Sequence, residues 1–221
     1  MLIIANFKEN LSEKEFHEYF DVFVREFPKL GTNSETKIIF CPSFPYLSLV
    51  SKKVSIFQNI YVGSQDVSSF KAGSYTGEVS AKQLKDYCKY SIVGHSERRK
   101  NLKDGIEDIN KKIYNLIEES IEPILCISKK EEFEKLKPKD ILLAYEPIGY
   151  IGGTNTVSSE NIEQFYKTLQ ISSGIIYGGS VNYQSVKNIM ELPFLKGFLV
   201  ATGCLNPNEF LELIQVVQNK S

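Results

Sequence analysis

Eight short apolar runs alternate with segments of helical period along this 221-residue chain, and no other feature constrains its fold as tightly. The runs are Leu2 to Phe7, Lys37 to Cys41, Ile60 to Gln65, Ser91 to Val93, Pro123 to Ile127, Ile141 to Tyr145, Gly174 to Tyr177 and Gly197 to Val200. A run without polar alternation, such as Ile141-Leu142-Leu143-Ala144-Tyr145, suits a parallel strand buried on both faces. Parallel neighbours need a crossover. The intervening stretches supply it, with apolar stripes such as Ile106, Ile109, Ile113, Leu116 and Ile117, or Phe210, Leu213, Ile214 and Val217, read as core faces. Strict alternation of eight strands predicts a compact (β/α)8 barrel, an architecture whose lower size limit is about 200 residues. The alternative is a doubly wound open sheet. It is weakened by the lack of a Gly-x-Gly-x-x-Gly turn after the first strand, although other open sheets do without one. The longest polar stretches, Lys29 to Lys37 and Lys129 to Asp140, are loop or short-helix sized, so residues 1–221 read as one domain.

In such a barrel the active site is built from the loops that follow the strands. The polar residues that stand out fall there: Asn6 and Lys8 after the first strand, His95 and Glu97 after the fourth, Glu146 after the sixth, Ser180 after the seventh, and Ala201-Thr202-Gly203 after the eighth. Glu146 precedes Pro147 and the glycine-bearing run Ile148 to Gly153, a turn that could hinge. It is either a catalytic base or one of the many strand-end carboxylates that hold loops. His95 follows Gly94, and Ser96-Glu97 could open a helical turn whose N–H groups favour an uncharged imidazole. A loop-bonding histidine is the plainer reading. The other histidine, His17, lies in the helical stripe Phe16, Tyr19, Phe20, Phe23 and reads as an exposed helix residue.

Charge narrows the function classes. Twenty-six Lys and Arg against twenty-seven Asp and Glu give a formal charge of −1, which leaves no basic footprint for nucleic acid or an anionic membrane. The four cysteines, Cys41, Cys88, Cys126 and Cys204, show no Cys-x-x-Cys pair and no adjacent histidine, against zinc and against a redox dithiol. The apolar start Met1 to Ala5 meets Asn6 and Lys8 too early for a signal segment, and no run approaches ~18 apolar residues. These readings predict a soluble, cytoplasmic protein.

Five motifs in order resemble the triosephosphate isomerase family over essentially the whole chain: Asn6-Phe7-Lys8-Glu9-Asn10; Gln65 to Ser68 running on to Tyr75-Thr76-Gly77-Glu78; Val93 to Arg99; Tyr145-Glu146-Pro147-Ile148; and Tyr177 to Val181. The resemblance implies interconversion of dihydroxyacetone phosphate and glyceraldehyde 3-phosphate through an enediolate, with no cofactor and no metal. It implies Glu146 as the proton-shuttling base and His95 as a neutral electrophile, an acid–base assignment that is the family's own. Lys8 would supply positive charge, Asn6 a hydrogen bond to substrate oxygens, and Glu97 would position Lys8. The phosphate would meet backbone N–H groups of Gly152, Ser180, Ala201 and Thr202, and Pro147 to Thr154 would close over it. Cys126 would pack behind the base. A homodimer is implied, with Lys71 to Gly77 entering the neighbouring subunit and Thr76 reaching its active site.

The chain departs from the family pattern in four places. Gly149 stands where a Trp is usual, in a protein without any Trp, and Gly153-Thr154-Asn155 replaces Thr-Gly-Lys. Ala201-Thr202 replaces Gly-Gly. The segments on either side of the sixth strand are shortened, with Ser128 after Cys126-Ile127 in place of Gly-Glu, which predicts a loss of outer helices. A non-catalytic barrel that binds phosphosugars or serves as an interaction surface is the competing reading. Another barrel enzyme acting on a phosphorylated substrate is a third.

Overall fold

A computed structural model describes residues 1–31, 35–136, 141–149 and 157–219. Its strands are β1 (Leu2–Asn6), β2 (Lys37–Cys41), β3 (Ile60–Ser64), β4 (Tyr90–Val93), β5 (Glu122–Ile127), β6 (Leu142–Tyr145), β7 (Ile175–Tyr177) and β8 (Leu195–Val200). All pair in parallel with their sequence neighbours, and β8 returns to β1, so the sheet closes into a barrel and the open-sheet alternative falls. Strand ends differ from the expected ones by one or two residues. The helices α1 (Glu13–Glu26), α2 (Leu47–Val54), α3 (Ala81–Leu84), α4 (Ile106–Glu118), α5 (Lys130–Leu136), α6 (Ser159–Leu169), α7 (Tyr183–Ile189) and α8 (Pro207–Gln218) fill the crossovers and follow β8.

Side chains on a strand alternate faces, so each strand divides its residues between the barrel axis and the helical layer. Ile4, Ile39, Ile92, Ile124, Cys126, Ala144, Ile176 and Leu199 form the apolar cluster inside the barrel. Ile3, Ala5, Ile38, Phe40, Val93, Leu125 and Leu143 belong to the larger cluster shared with the helices. One buried polar pair joins β3 to β4, Ser64 Oγ donating to Ser91 Oγ at 2.7 Å.

The opening strand is anchored most heavily. Phe7, one residue beyond β1, packs its ring 5.1 Å from Phe16 and 5.2 Å from Tyr19 of α1, while Phe40 of β2 lies 4.9 Å from Phe23. Aromatic pairs of this geometry add about 0.5–1.5 kcal/mol each beyond their buried area. Helix α1 starts where Ser12 and Glu15 form a capping box. The cluster therefore fixes the upper end of β1, where Asn6 and Lys8 leave the strand.

Two sequence expectations need correction. The shortened segments around β6 keep their helices: α5 is cut to seven residues, and α6 has eleven. Short helices still cover the barrel there because Leu136, Ile162 and Leu169 bury apolar side chains against it. Ile117 is not a core residue; it is 54% exposed, since α4 presents Ile109 and Leu116 inward and Ile117 lies off that stripe.

Barrel closure depends on close approach at β8. Gly197 pairs with Leu2, and a Cβ there would stand 2.1 Å from the Leu2 carbonyl oxygen. We predict that Gly197→Ala pries β1 from β8, costs at least about 1–3 kcal/mol as overpacking does, and lowers the thermal midpoint by roughly 3–10 °C. A variant melting with the wild type would show that the seam yields without strain.

Candidate active site

Strand parity decides which polar residues reach the axis. Asn6 shares the parity of Ile4, Glu146 that of Ala144, Gly178 that of Ile176, and Ala201 that of Leu199, so all four continue the inward rows past the strand ends. His95 has the wrong parity for β4. Gly94 corrects this with φ +66°, a left-handed conformation open to glycine, and a Cβ at that position would sit 2.8 Å from the Arg99 guanidinium. Arg99 secures the turn further, donating to the Gly94 carbonyl at 2.7 Å and to the Cys126 carbonyl at 3.0 Å.

The result is a cavity of about 380 Å³ over the strand ends, lined by Asn6, Lys8, His95, Glu146, Ser180, Ala201 and Thr202 together with Gly178 and residues of the β7 and β8 loops. Asn6, Lys8, His95, Glu146, Ser180, Ala201 and Thr202, all singled out from the sequence, thus share one cavity. Glu97 borders the adjoining groove of about 580 Å³, which also has Asn6, Lys8 and His95 in its wall. Gly152 lies outside the described residues, as do Gly153, Thr154 and Asn155.

Within the cavity, Glu146 is 1% exposed and His95 5%. Nε2 of His95 lies 2.8 Å from Oε1 of Glu146, and the Ser96 N–H donates to the other carboxylate oxygen at 3.1 Å. The Glu97 N–H points at Nδ1 of His95 at 3.2 Å. A ring nitrogen that accepts a hydrogen bond carries no proton, so the single proton of this imidazole sits on Nε2, facing the carboxylate. Ser96 and Glu97 begin a helical turn that continues as the π-helical segment Arg98–Leu102, which is where the donating N–H comes from. Behind the carboxylate, Cys126 is fully buried; burial first, and then the Glu146 carboxylate, push its thiol well above the ordinary range. It belongs to the apolar cluster inside the barrel and interacts with the Glu146 carboxylate.

Lys8 projects from a left-handed residue, φ +51°, and its ammonium pairs with the Glu97 carboxylate. Ser180, on the far side, is also left-handed at φ +41°. Neither Ala201, φ −109°, nor Thr202 takes a positive φ, so the backbone after β8 does not require glycine at these positions. Gly179 does carry a steric demand: a Cβ would lie 2.6 Å from the Tyr177 hydroxyl and 2.8 Å from Pro147. The Val157 N–H donates to that hydroxyl at 3.3 Å, so the β7 end touches both flanks of the segment after Glu146.

Several supporting residues escaped the sequence reading. Arg98 reaches Asp66 and Asp104 at 2.8 and 2.9 Å, and the buried Lys112 reaches the same two carboxylates at 2.9 and 2.6 Å. Burial raises the Asp66 carboxyl more than its two cations lower it. For Asp104 the balance reverses: burial pushes it up, but hydrogen bonds from Arg98 and Lys112 outweigh that and hold it below the usual range. No sequence spacing announces such a four-member network, because its members come from the β3 loop, the histidine loop and α4. Among the described residues there is no cluster of His, Cys, Asp and Glu suited to a metal ion, and no helix long and apolar enough to cross a membrane.

The eight-stranded barrel, with a carboxylate, an imidazole and an ammonium around one cavity at the strand ends, defines an enzyme of the barrel class. The family profile described as triosephosphate isomerase matches residues 1–217. The chain belongs to the triosephosphate isomerase family and is an isomerase. It is 32% identical over 239 residues to the triosephosphate isomerase of Mycoplasmopsis pulmonis, covering 97% of this chain and 96% of that relative. It is 31% identical to that of Thermus thermophilus, with 98% of both chains covered. With the Aquifex aeolicus protein of the same name it shares 33% identity over 96% of this chain and 98% of the relative. These matches favour the catalytic reading over a silent barrel.

The hydrogen-bond pattern at the imidazole leads to a direct check. Nitrogen NMR of His95 at neutral pH is expected to show Nε2 protonated and Nδ1 bare. A proton on Nδ1 would overturn the assignment.

Proposed function

We propose that the chain carries out its family's reaction, the interconversion of dihydroxyacetone phosphate and glyceraldehyde 3-phosphate, in the cavity over the strand ends. The observation that carries this reading is the buried Glu146–His95 pair at 2.8 Å, with Nδ1 of His95 accepting the Glu97 N–H. Glu146 takes a proton from the carbon beside the substrate carbonyl, and the released electron pair moves to the carbonyl oxygen, forming the enediolate. The Nε2 proton of His95 stabilises that oxygen, as the family's neutral histidine does. The hydroxyl proton then passes from its oxygen to the former carbonyl oxygen by way of Nε2 of His95, while Glu146 returns its proton to the neighbouring carbon, so that the hydroxyl carbon becomes the new carbonyl. The Glu146 carboxylate is bound to His95 and Ser96, so the reaction requires it to leave these partners for the substrate carbon.

Lys8 supplies the positive charge that the enediolate and the phosphate require, and Asn6 donates to substrate oxygens. Support comes from the Lys8 N–H, which occupies the Asn6 side-chain oxygen at 3.2 Å and leaves the amide NH₂ for the cavity. Glu97 positions the Lys8 ammonium through their ion pair. The phosphate is bound by backbone N–H groups of Gly152, Ser180, Ala201 and Thr202; the ordinary φ of Ala201 and Thr202 is compatible with side chains there. The closing segment that the resemblance implies, Pro147 to Thr154, lies for the larger part outside the described residues. We place the protein in the cytoplasm, supported by its four free, buried cysteines, which suit a reducing compartment.

The same reading makes the protein a homodimer. Residues 71–78 are exposed, and the rings of Phe70 and Tyr75 stack at 4.3 Å with each residue 45% exposed. The groove beside Lys8 and Glu97, bordered by the exposed Phe44 and Leu102, suits the Lys71 to Gly77 loop of a second copy with Thr76 at its tip. Burial of such an apolar patch favours association.

Two measurements test these assignments. Glu146→Gln should lower kcat by about 10²–10⁴-fold, the scale of general base catalysis, and Glu146→Asp by about a hundredfold through misplacement of ~1 Å. Full activity in Glu146→Gln, or loss of wild-type activity on chelation with EDTA, would sink the mechanism. Sedimentation at assay concentrations should give a dimer; an active monomer would count against the loop exchange.

A further inference from the structure

The left-handed backbone of Lys8 needs an external cause, because a long side chain strains this conformation and Lys8 has no short polar group to relieve it. The carbonyl of Lys8 accepts two side-chain hydrogen bonds, from Ser43 Oγ at 3.0 Å and from Gln65 Nε2 at 2.8 Å. Gln65 Nε2 also donates to the Cys41 carbonyl at 2.9 Å, and that carbonyl receives the Phe7 N–H at 3.2 Å. Two different strand-following loops therefore converge on one oxygen and fill both its lone pairs. Ser43 stands at the N-cap of the 3₁₀ turn Phe44–Tyr46, yet its hydroxyl makes no capping bond and turns to Lys8 instead. A serine in that place ordinarily caps.

We propose that Ser43 is a positioning residue for the reaction: together with Gln65 it holds the Lys8 peptide in its left-handed conformation, so that the ammonium is aimed into the cavity. The inference rests on the role given to Lys8 above. Ser43 acts through the peptide and not through the ammonium, so its effect on ligands depends on the Lys8 charge being present.

The test is a cycle of affinities for phosphoglycolate, a phosphate-bearing mimic of the enediolate, measured by calorimetry on the intact protein. Ser43→Ala should weaken binding about threefold to tenfold, the scale of one lost hydrogen bond, and Ser43→Thr, which keeps the hydroxyl, should restore most of it. In a Lys8→Met background, Ser43→Ala should cause no further loss. Gln65→Met provides a second route to the same comparison and should show the same dependence on Lys8. Wild-type affinity in Ser43→Ala, or an equal loss with and without the Lys8 charge, overturns the proposal while leaving the role of Lys8 intact. Wild-type affinity in Lys8→Met instead overturns the role of Lys8, and the proposal with it.

Discussion

The alternation of side chains along a parallel strand, closed into a ring, is the constraint on which the rest of this protein depends. Once β8 pairs with β1, every second residue faces an axis that has room only for packed side chains. The lower part of that axis is filled with isoleucine, cysteine, alanine and leucine. At the upper rim the same rows continue as Asn6, Glu146, Gly178 and Ala201. A polar ring thus rests on an apolar floor, and the carboxylate of Glu146 is removed from water by the same packing that stabilises the barrel. Its partners there are the His95 imidazole and the Ser96 N–H.

Where the chain leaves the strands at the rim, the backbone departs from the common conformations. Gly94 turns the chain so that His95 enters the cavity, Lys8 takes a left-handed φ directly after β1, and Ser180 does so after β7. Left-handed residues other than glycine cost on the order of 1–2 kcal/mol, and at Lys8 hydrogen bonds from two loops offset that cost. Among the described residues, Lys103, Ser120 and Gln170 also take positive φ, but there they close helical segments, whereas Lys8 and Ser180 stand at the cavity. The long helices and inner strands, by contrast, fold with ordinary caps and apolar stripes.

Electrostatics at the rim follows a similar division. The cation of Lys8 is matched by Glu97 at the cavity edge, while Arg98 and Lys112 are taken up by Asp66 and Asp104 behind it. The second set is structural. It ties the histidine loop to the β3 loop and to α4, and among the described residues it leaves Lys8 as the cation that lines both the cavity and the groove.

The sequence by itself pointed to the barrel, because eight apolar runs with intervening helical stripes admit few closures, and it pointed to the rim residues, because strand-end position is a local property. Asn6, Lys8, His95 and Glu146 were legible for that reason. The tertiary structure alone decided the rest. Ser43 and Gln65 meet at the Lys8 carbonyl, and Asp66, Asp104, Arg98 and Lys112 meet in one network, across separations of 35 and 57 residues in the first case and 46 between Lys112 and Asp66 in the second. The run after β5 is short-helix sized in the sequence, but that α5 covers the barrel was decided only by the burial of Leu136. Local pattern fixes what a residue does to its own strand or helix; contacts between loops of different strands exist only after the ring has closed and set their distances.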